Sequence, residues 1–175
     1  MSTITEAVSR KFPEGIVLVS SVSKEGRVNV MPAGWSMVTS NEPLLVAVSV
    51  GKERYTHALI METREFVLAY PSFDMADDVM ITGTQSGRDT AKMERCRLRL
   101  VPAEKVGARL IEGAVANLEC RLHSYHPTGD HTIFVGEVVA GHVGGPPCSR
   151  LMNFGRRHFA VARMDPEAQV SYENA

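Results

Sequence analysis

Seven short apolar runs punctuate the chain, each rich in β-branched residues and bounded by glycine, proline or small polar residues. They are GIVLVSSV (15–22), RVNVMPAGW (27–35), PLLVAVSV (43–50), EFVLAYP (65–71), LRLVP (98–102), ANLECRLHSY (116–125) and HTIFVGEVVAGHV (131–143). In the sixth, Ala116, Leu118, Cys120 and Leu122 alternate with Asn117, Glu119, Arg121 and His123, the two-residue period of a half-buried strand. One face is then core, and the other is wet or covered by a partner. SKEGR (23–27) and HPTGD (126–130) are compact glycine-containing connections that suit hairpins. Helical patterns are few: TEAVSRKF (5–12), YTHALIMET (55–63) with Thr56 as its expected cap, and FDMADDVM (73–80) with Asp74 as its expected cap. AEKVGARLIEGAVAN (103–117) carries both periods and does not divide into helix and strand. Many strands, few helices and no internal repeat predict a mainly β protein, a closed or nearly closed antiparallel barrel, over a βαβ sheet. A barrel also removes exposed strand edges.

A length of 175 residues suits one domain over 1–175, with a core large enough to fold without disulfides or a structural metal. Nineteen Lys and Arg against 20 Asp and Glu give a net charge of −1, and no basic stripe marks a nucleic-acid partner. Cys96, Cys120 and Cys148 are odd in number, widely spaced and lack a CxxC pair, so they read as reduced thiols. The first residues hold no apolar core of signal-peptide length, and no segment has the apolar length of a membrane span. A cytoplasmic protein without a membrane partner is expected.

Three stretches could carry chemistry. In SVGKERYTHALI (49–60) a strand gives way to a turn and a helix start, where unpaired N–H groups attract an anion. Arg54 and Thr56 could add a guanidinium fork and a hydroxyl to form a phosphate cradle. The competing reading is a capping threonine beside a solvated arginine. TGTQSGRDTAK (82–92) permits close backbone approach and offers hydroxyls and basic residues, but it lacks Walker spacing and has the composition of many surface loops. In NVMPAGWSMVTS (29–40), Pro32 and Gly34 interrupt a strand beside Trp35, the one tryptophan. Either a flat ligand ring approaches the backbone there, or the barrel wall kinks for packing.

His126, Asp130 and His131 crowd the turn in HPTGDHTIFVGEVV (126–139). A zinc or iron site would need imidazoles converging on one point, which a tight turn does not ensure. A Ser-His-Asp hydrolase lacks its GxSxG elbow.

Taken in order, GIVLVSSVSKEGRVNVMPAGWSMVTSNEPLLVAVSV, RYTHALIMETREFVLAYP, SGRDTAK, ANLEC and GDHTIFVGEVV resemble the flavin reductase-like family of FMN-binding split barrels, which includes flavoredoxin. The likeness runs from about Phe12 to Met164. It implies a six-stranded antiparallel Greek-key barrel that forms a homodimer, with FMN in a groove at the subunit interface. On this resemblance Asn29, Met31, Ala33, Trp35 and Ser36 border the isoalloxazine ring. Ser49, Val50, Arg54 and Thr56 run from ring edge to phosphate, and Ser86, Gly87 and Lys92 complete the phosphate side. Ala91 and Met93 depart from relatives that often carry an acidic residue before the lysine and an aromatic after it. His131 matches the histidine that points toward the flavin cleft, to touch the ring or an arriving nicotinamide. Metal becomes unnecessary, His126 belongs to the hairpin, and Asp130 either orients His131 or caps the turn.

The resemblance implies an FMN-dependent oxidoreductase in which NAD(P)H reduces the flavin and electrons pass to free flavin, a ferric complex, a quinone or a protein. A flavoredoxin-type electron carrier without its own nicotinamide site, or a barrel that binds flavin without catalysis, would share the same segments. Nicotinamide preference and the acceptor are left to loops after residue 140, including GGPPCSRLMNFGRRHF (144–159).

Overall fold

The computed structural model describes residues 3–161, so the end of the family likeness, 162–164, lies outside the described residues. Among the described residues there are twelve strands: β1 (Glu14–Gly15), β2 (Val17–Val22), β3 (Val28–Ala33), β4 (Ser36–Asn41), β5 (Leu44–Gly51), β6 (Glu65–Tyr70), β7 (Leu100–Pro102), β8 (Arg109–Ile111), β9 (Ala116–Thr128), β10 (His131–Val143), β11 (Leu151–Asn153) and β12 (Phe159–Val161). Three α-helices accompany them: α1 (Ile4–Ser9), α2 (Tyr55–Thr63) and α3 (Ala76–Thr84). None of these helices is long and apolar enough to cross a membrane.

The main sheet has seven strands in the order β3-β2-β6-β9-β10-β5-β4, every pair antiparallel. The expected six are all there, and β4 adds a seventh. Val17 and Val19 of β2, Phe66 and Leu68 of β6, Cys120 of β9, Phe134 of β10 and Val46, Val48 and Val50 of β5 bury their side chains in one cluster, so the sheet wraps round on itself. No ladder joins β3 to β5. The chain instead leaves β3 through Gly34 and Trp35 into β4, and the Ser49 N–H of β5 donates to the Trp35 carbonyl at 2.9 Å. The result is a split barrel. Ile60 of α2 reaches into the same cluster, which fixes that helix across the barrel end.

Both hairpins expected at SKEGR and HPTGD form, and each uses a glycine at positive φ, Gly26 at 85° and Gly129 at 41°. Pro32 does not end its strand. It pairs with Leu18 from β3, an edge strand, where proline's missing N–H costs no ladder bond. Both expected caps are displaced. Arg54 holds the N-cap position of α2, leaving Thr56 inside the first turn, and Asp74 sits in a 3₁₀ turn (Phe73–Met75) before α3, where Met75 is the N-cap. The ambiguous stretch 103–117 contains the short strand β8 between irregular segments, and its last two residues, Ala116 and Asn117, open β9.

The polar face of β9 is also not uniformly wet: Asn117 and Glu119 are buried while Arg121 and His123 are exposed. The cover comes from the chain itself. Asn117 exchanges two hydrogen bonds with the backbone of Ile111, and Glu119 accepts from the backbone N–H groups of Glu104, Lys105 and Val106.

Candidate functional site

A cleft of about 850 Å3 opens where β3, the β5–α2 turn, the loop after α3 and the β9–β10 turn meet. The β5–α2 turn is closed by the Arg54 N–H donating to the Gly51 carbonyl at 2.9 Å. It is tied to the β9–β10 turn by Lys52, whose N–H donates to the Asp130 carbonyl at 2.9 Å and whose Nζ donates to the Gly129 carbonyl at 2.5 Å. Residues remote in sequence thus reach one wall.

One end of the cleft is rich in donors. Arg54 stands at the mouth of α2; the His57 N–H donates to the Arg54 carbonyl at 3.0 Å, and the N–H groups of Tyr55 and Thr56, at the helix start, have no carbonyl a turn earlier within the helix. The Thr56 hydroxyl accepts from Asn29 Nδ2 at 2.8 Å, which leaves its own O–H to donate. Lys92, buried at 3% exposure, donates from Nζ to the carbonyls of Thr82 (3.0 Å) and Gln85 (3.3 Å), leaving one N–H of the ammonium for a ligand. Burial pushes its pKa down to about 8, the Arg54 charge adds to the fall, and Cys96 opposes it.

Two buried acceptors face no protein partner: Asn29 Oδ1 and Gln85 Oε1, both on the cleft wall. Buried polar atoms of this kind are normally paired, so they mark where a ligand's hydroxyls would sit. Gly87 preserves the space: a Cβ there would collide with Asn29 Oδ1 and lie 3.2 Å from Lys92 Cε.

The other end is aromatic. His131 opens β10 opposite Gly51, and its ring centroid lies 4.9 Å from that of Trp35 with the planes tilted by 40°. His131 Nδ1 donates to Asp130 Oδ1 at 2.6 Å, and this bond, followed by the charge of the imidazole, holds the Asp130 carboxyl below its usual range. Of the two roles open to Asp130, orienting His131 is the one the geometry displays. Trp35 is 52% exposed, so one face of its indole is available.

The structure brings Asn29, Met31, Ala33, Trp35, Ser49, Arg54, Thr56, Ser86, Gly87, Lys92 and His131 onto this one cleft. It does not bring Val50 or Ser36 there: the Val50 side chain is in the barrel core, and Ser36 pairs with Val48 on β4. His126 stays on the hairpin, opposite Ile133 and hydrogen-bonded to Ser124. Among the described residues no three His, Cys, Asp or Glu side chains converge as a metal-holding group. Gln85 is among the wall residues that the sequence did not single out, because an amide in a loop has no motif of its own.

Similarity to known proteins follows the same outline. The chain is 46% identical over 123 residues to an uncharacterized protein of Archaeoglobus fulgidus, covering 70% of this chain and 68% of that one. It is 31% identical over 147 residues to the FMN reductase (NADH) SmoA of Agrobacterium fabrum, covering 83% and 80%. The crystal structure of an FMN-binding protein from Thermus thermophilus superposes with a TM-score of 0.79 at 30% identity, covering 89% of this chain and 91% of that one. The chain spans between about half and two thirds of the length of the archaeal relatives it matches. Residues 9–162 match the flavin reductase like domain, and the chain belongs to that family.

Proposed function

We propose that this protein is an FMN-bound, NAD(P)H-dependent reductase that passes electrons to a small-molecule acceptor such as free flavin, a ferric complex or a quinone. The observation that carries the reading is the polarity of this cleft: cations at one end, orphaned acceptors on its wall, and a tryptophan–histidine pair at the other end. FMN fits that sequence of environments. Arg54, Lys92, Thr56 and Ser86 would hold its phosphate, Asn29 and Gln85 would accept from its ribityl hydroxyls, and Trp35 with the β3 backbone would border its ring. When bound, FMN supplies the redox chemistry, taking a hydride from a nicotinamide and releasing electrons to the acceptor.

The chain's own residues position and shield. His131, held by Asp130, offers its Nε2 edge toward the ring end, where it would orient an arriving nicotinamide. The indole of Trp35 excludes water from one side. No nucleophile is required.

The test is rapid mixing of FMN-loaded protein with NADH or NADPH under anaerobic conditions. Prompt loss of flavin absorbance is expected, and His131→Asn should slow it several-fold while leaving FMN affinity unchanged. Loss of absorbance only with a reduced redox protein would move the chain to the electron carriers, and failure to bind FMN would end both readings.

The protein also forms a homodimer in this proposal. Met37, Val38 and Leu44 on β4 and β5 are 63%, 56% and 40% exposed, and Trp35 just before β4 is 52% exposed. β4 is an edge strand, a surface that natural proteins generally cover. Sedimentation should give twice the chain mass. Val38→Lys should shift it to a monomer with weakened FMN binding, whereas a wild-type mass of one chain would sink the dimer.

A further inference from the structure

A second cavity, of about 360 Å3, adjoins the flavin cleft and shares Pro32, Ala33, Gly34 and Gly83 with it. Its wall combines two aromatic rings, Phe12 and Phe159, with Arg156 and Arg157. Both arginines sit in the turn between β11 and β12. That turn is firmly built: the Phe154 N–H donates to the His158 carbonyl at 2.8 Å, the His158 N–H to the Gly155 carbonyl at 2.9 Å, and the Gly155 N–H to Asn153 Oδ1 at 2.9 Å. Gly155 is buried against Phe12, where a Cβ would lie 2.9 Å from Cδ2 of the ring.

Three successive residues of this turn have positive φ: Gly155 at 84°, Arg156 at 48° and Arg157 at 65°. Left-handed backbone suits glycine and asparagine and is unfavourable for arginine. A turn that needed only its shape would use the former. Residues held in such conformations gather where a side chain must be presented. Among the described residues neither guanidinium pairs with a carboxylate. Lys11, whose Nζ lies 5.2 Å from the ring centroids of both Phe12 and Trp35, is neutralised by Glu14, so the two arginines set the charge of this mouth.

We propose that this cavity takes the phosphorylated adenosine end of the nicotinamide donor, with Arg156 and Arg157 gripping a terminal phosphate, so that the protein prefers NADPH to NADH. The proposal rests on the reductase reading of the neighbouring cleft. Two adjacent guanidiniums suit a dianionic phosphate monoester, with three acceptor oxygens, better than the singly charged links of a diphosphate bridge. Phe12 and Phe159 offer stacking area for a purine, and the volume falls in the range of small-molecule sites. Arg54 and Lys92, which would serve the flavin phosphate, line the larger cleft and not this cavity.

The experiment uses the FMN-loaded full chain at fixed ionic strength. Adenosine 2′,5′-bisphosphate and adenosine 5′-monophosphate are titrated calorimetrically, and KM is measured for NADPH and NADH. Arg156→Asn with Arg157→Asn removes both charges and keeps residues that tolerate the left-handed turn. Should that pair fail to fold, the corresponding glycine pair replaces it. The wild type should bind the bisphosphate about tenfold more tightly than the monophosphate, and the double variant should lose that margin. KM for NADPH should rise about tenfold, with kcat, the NADH KM and FMN affinity unchanged. Equal affinity for the two adenosine phosphates in the wild type, or an equal rise of both KM values in the variant, overturns the proposal. If neither nicotinamide bleaches the flavin, the reductase reading fails, and the bisphosphate titration alone still decides the anion subsite.

Discussion

Lys92→Met should weaken FMN binding about a hundredfold, the scale of losing one charge-assisted contact in a buried site. The same change should alter how the apo-protein responds to pH. Lys92 is buried, and burial, helped by Arg54, lowers its pKa from 10.5 to about 8. Below about 8 both folded and unfolded chains hold the proton, and the folded chain bears the full cost of an ammonium out of water. Between 8 and 10.5 the unfolded chain binds more protons than the folded one, so apo stability rises with pH across that window. The ligand sees the opposite trend, because the lysine charge that would hold the phosphate is lost as pH climbs through 8. Denaturation midpoints of apo wild type and Lys92→Met, with FMN dissociation constants at matching pH values, separate the two effects. Methionine should flatten both trends. A wild-type stability curve parallel to the variant's, or an unchanged FMN constant in the variant, would remove Lys92 from the phosphate end.

Lys92 also shows how much of the site could be read in advance. Its neighbours Thr82 and Gln85 are close in sequence, so the loop that places it was visible as a loop. The partners of Asn29 were not. Asn29 meets Thr56 across 27 residues, and Arg27 reaches the Gly87 carbonyl across 60. Spacing rules cannot see such contacts, and only the ordered likeness to a family put these residues together. Thr56 illustrates the cost of local grammar: a threonine before an apolar stretch reads as a cap, yet a distant asparagine claims its hydroxyl and the cap position falls to Arg54.

The strands were legible where β-branched residues face the core on both sides of the run, as in β2, whose six residues are all buried. β4 was not separated from β3 within NVMPAGWSMVTS because its sequence, SMVTSN, has adjacent exposed apolar residues, Met37 and Val38, and a register shift between Val38 and Ser40. Period two is broken there by a bulge. β8, β11 and β12 have three residues each, too few for any period to show. The basic turn that β11 and β12 carry was therefore invisible as a built feature.

Glu119 is where the alternating pattern misled most, and its replacement by leucine should cost about 3–5 kcal/mol of stability. The carboxylate is fully buried on the face of β9 expected to be wet or covered by a partner. Oε1 accepts from the Glu104 N–H at 2.9 Å and from His142 Nε2 at 2.6 Å, and Oε2 accepts from the N–H groups of Lys105 at 2.6 Å and Val106 at 3.1 Å. Burial alone would raise its pKa, but the Glu104 N–H, the His142 bond and the Lys105 N–H overcome that and lower it. The contribution is therefore present above the ordinary glutamate value of 4.5 and is lost as pH falls through the lower folded value. Leucine fills the volume but strands three backbone donors, each costly when buried and unpaired. Glutamine keeps one acceptor and should lose less. Urea denaturation at neutral pH measures the difference, and on acidification wild type should converge toward Glu119→Leu. The segment 103–108 lies outside the cleft proposed for FMN, so the folded fraction of the leucine variant should bind FMN normally. A stable Glu119→Leu protein would mean that these backbone donors find water instead, and a folded variant with lost FMN affinity would mean that the buried carboxylate acts on the site and not merely on the fold.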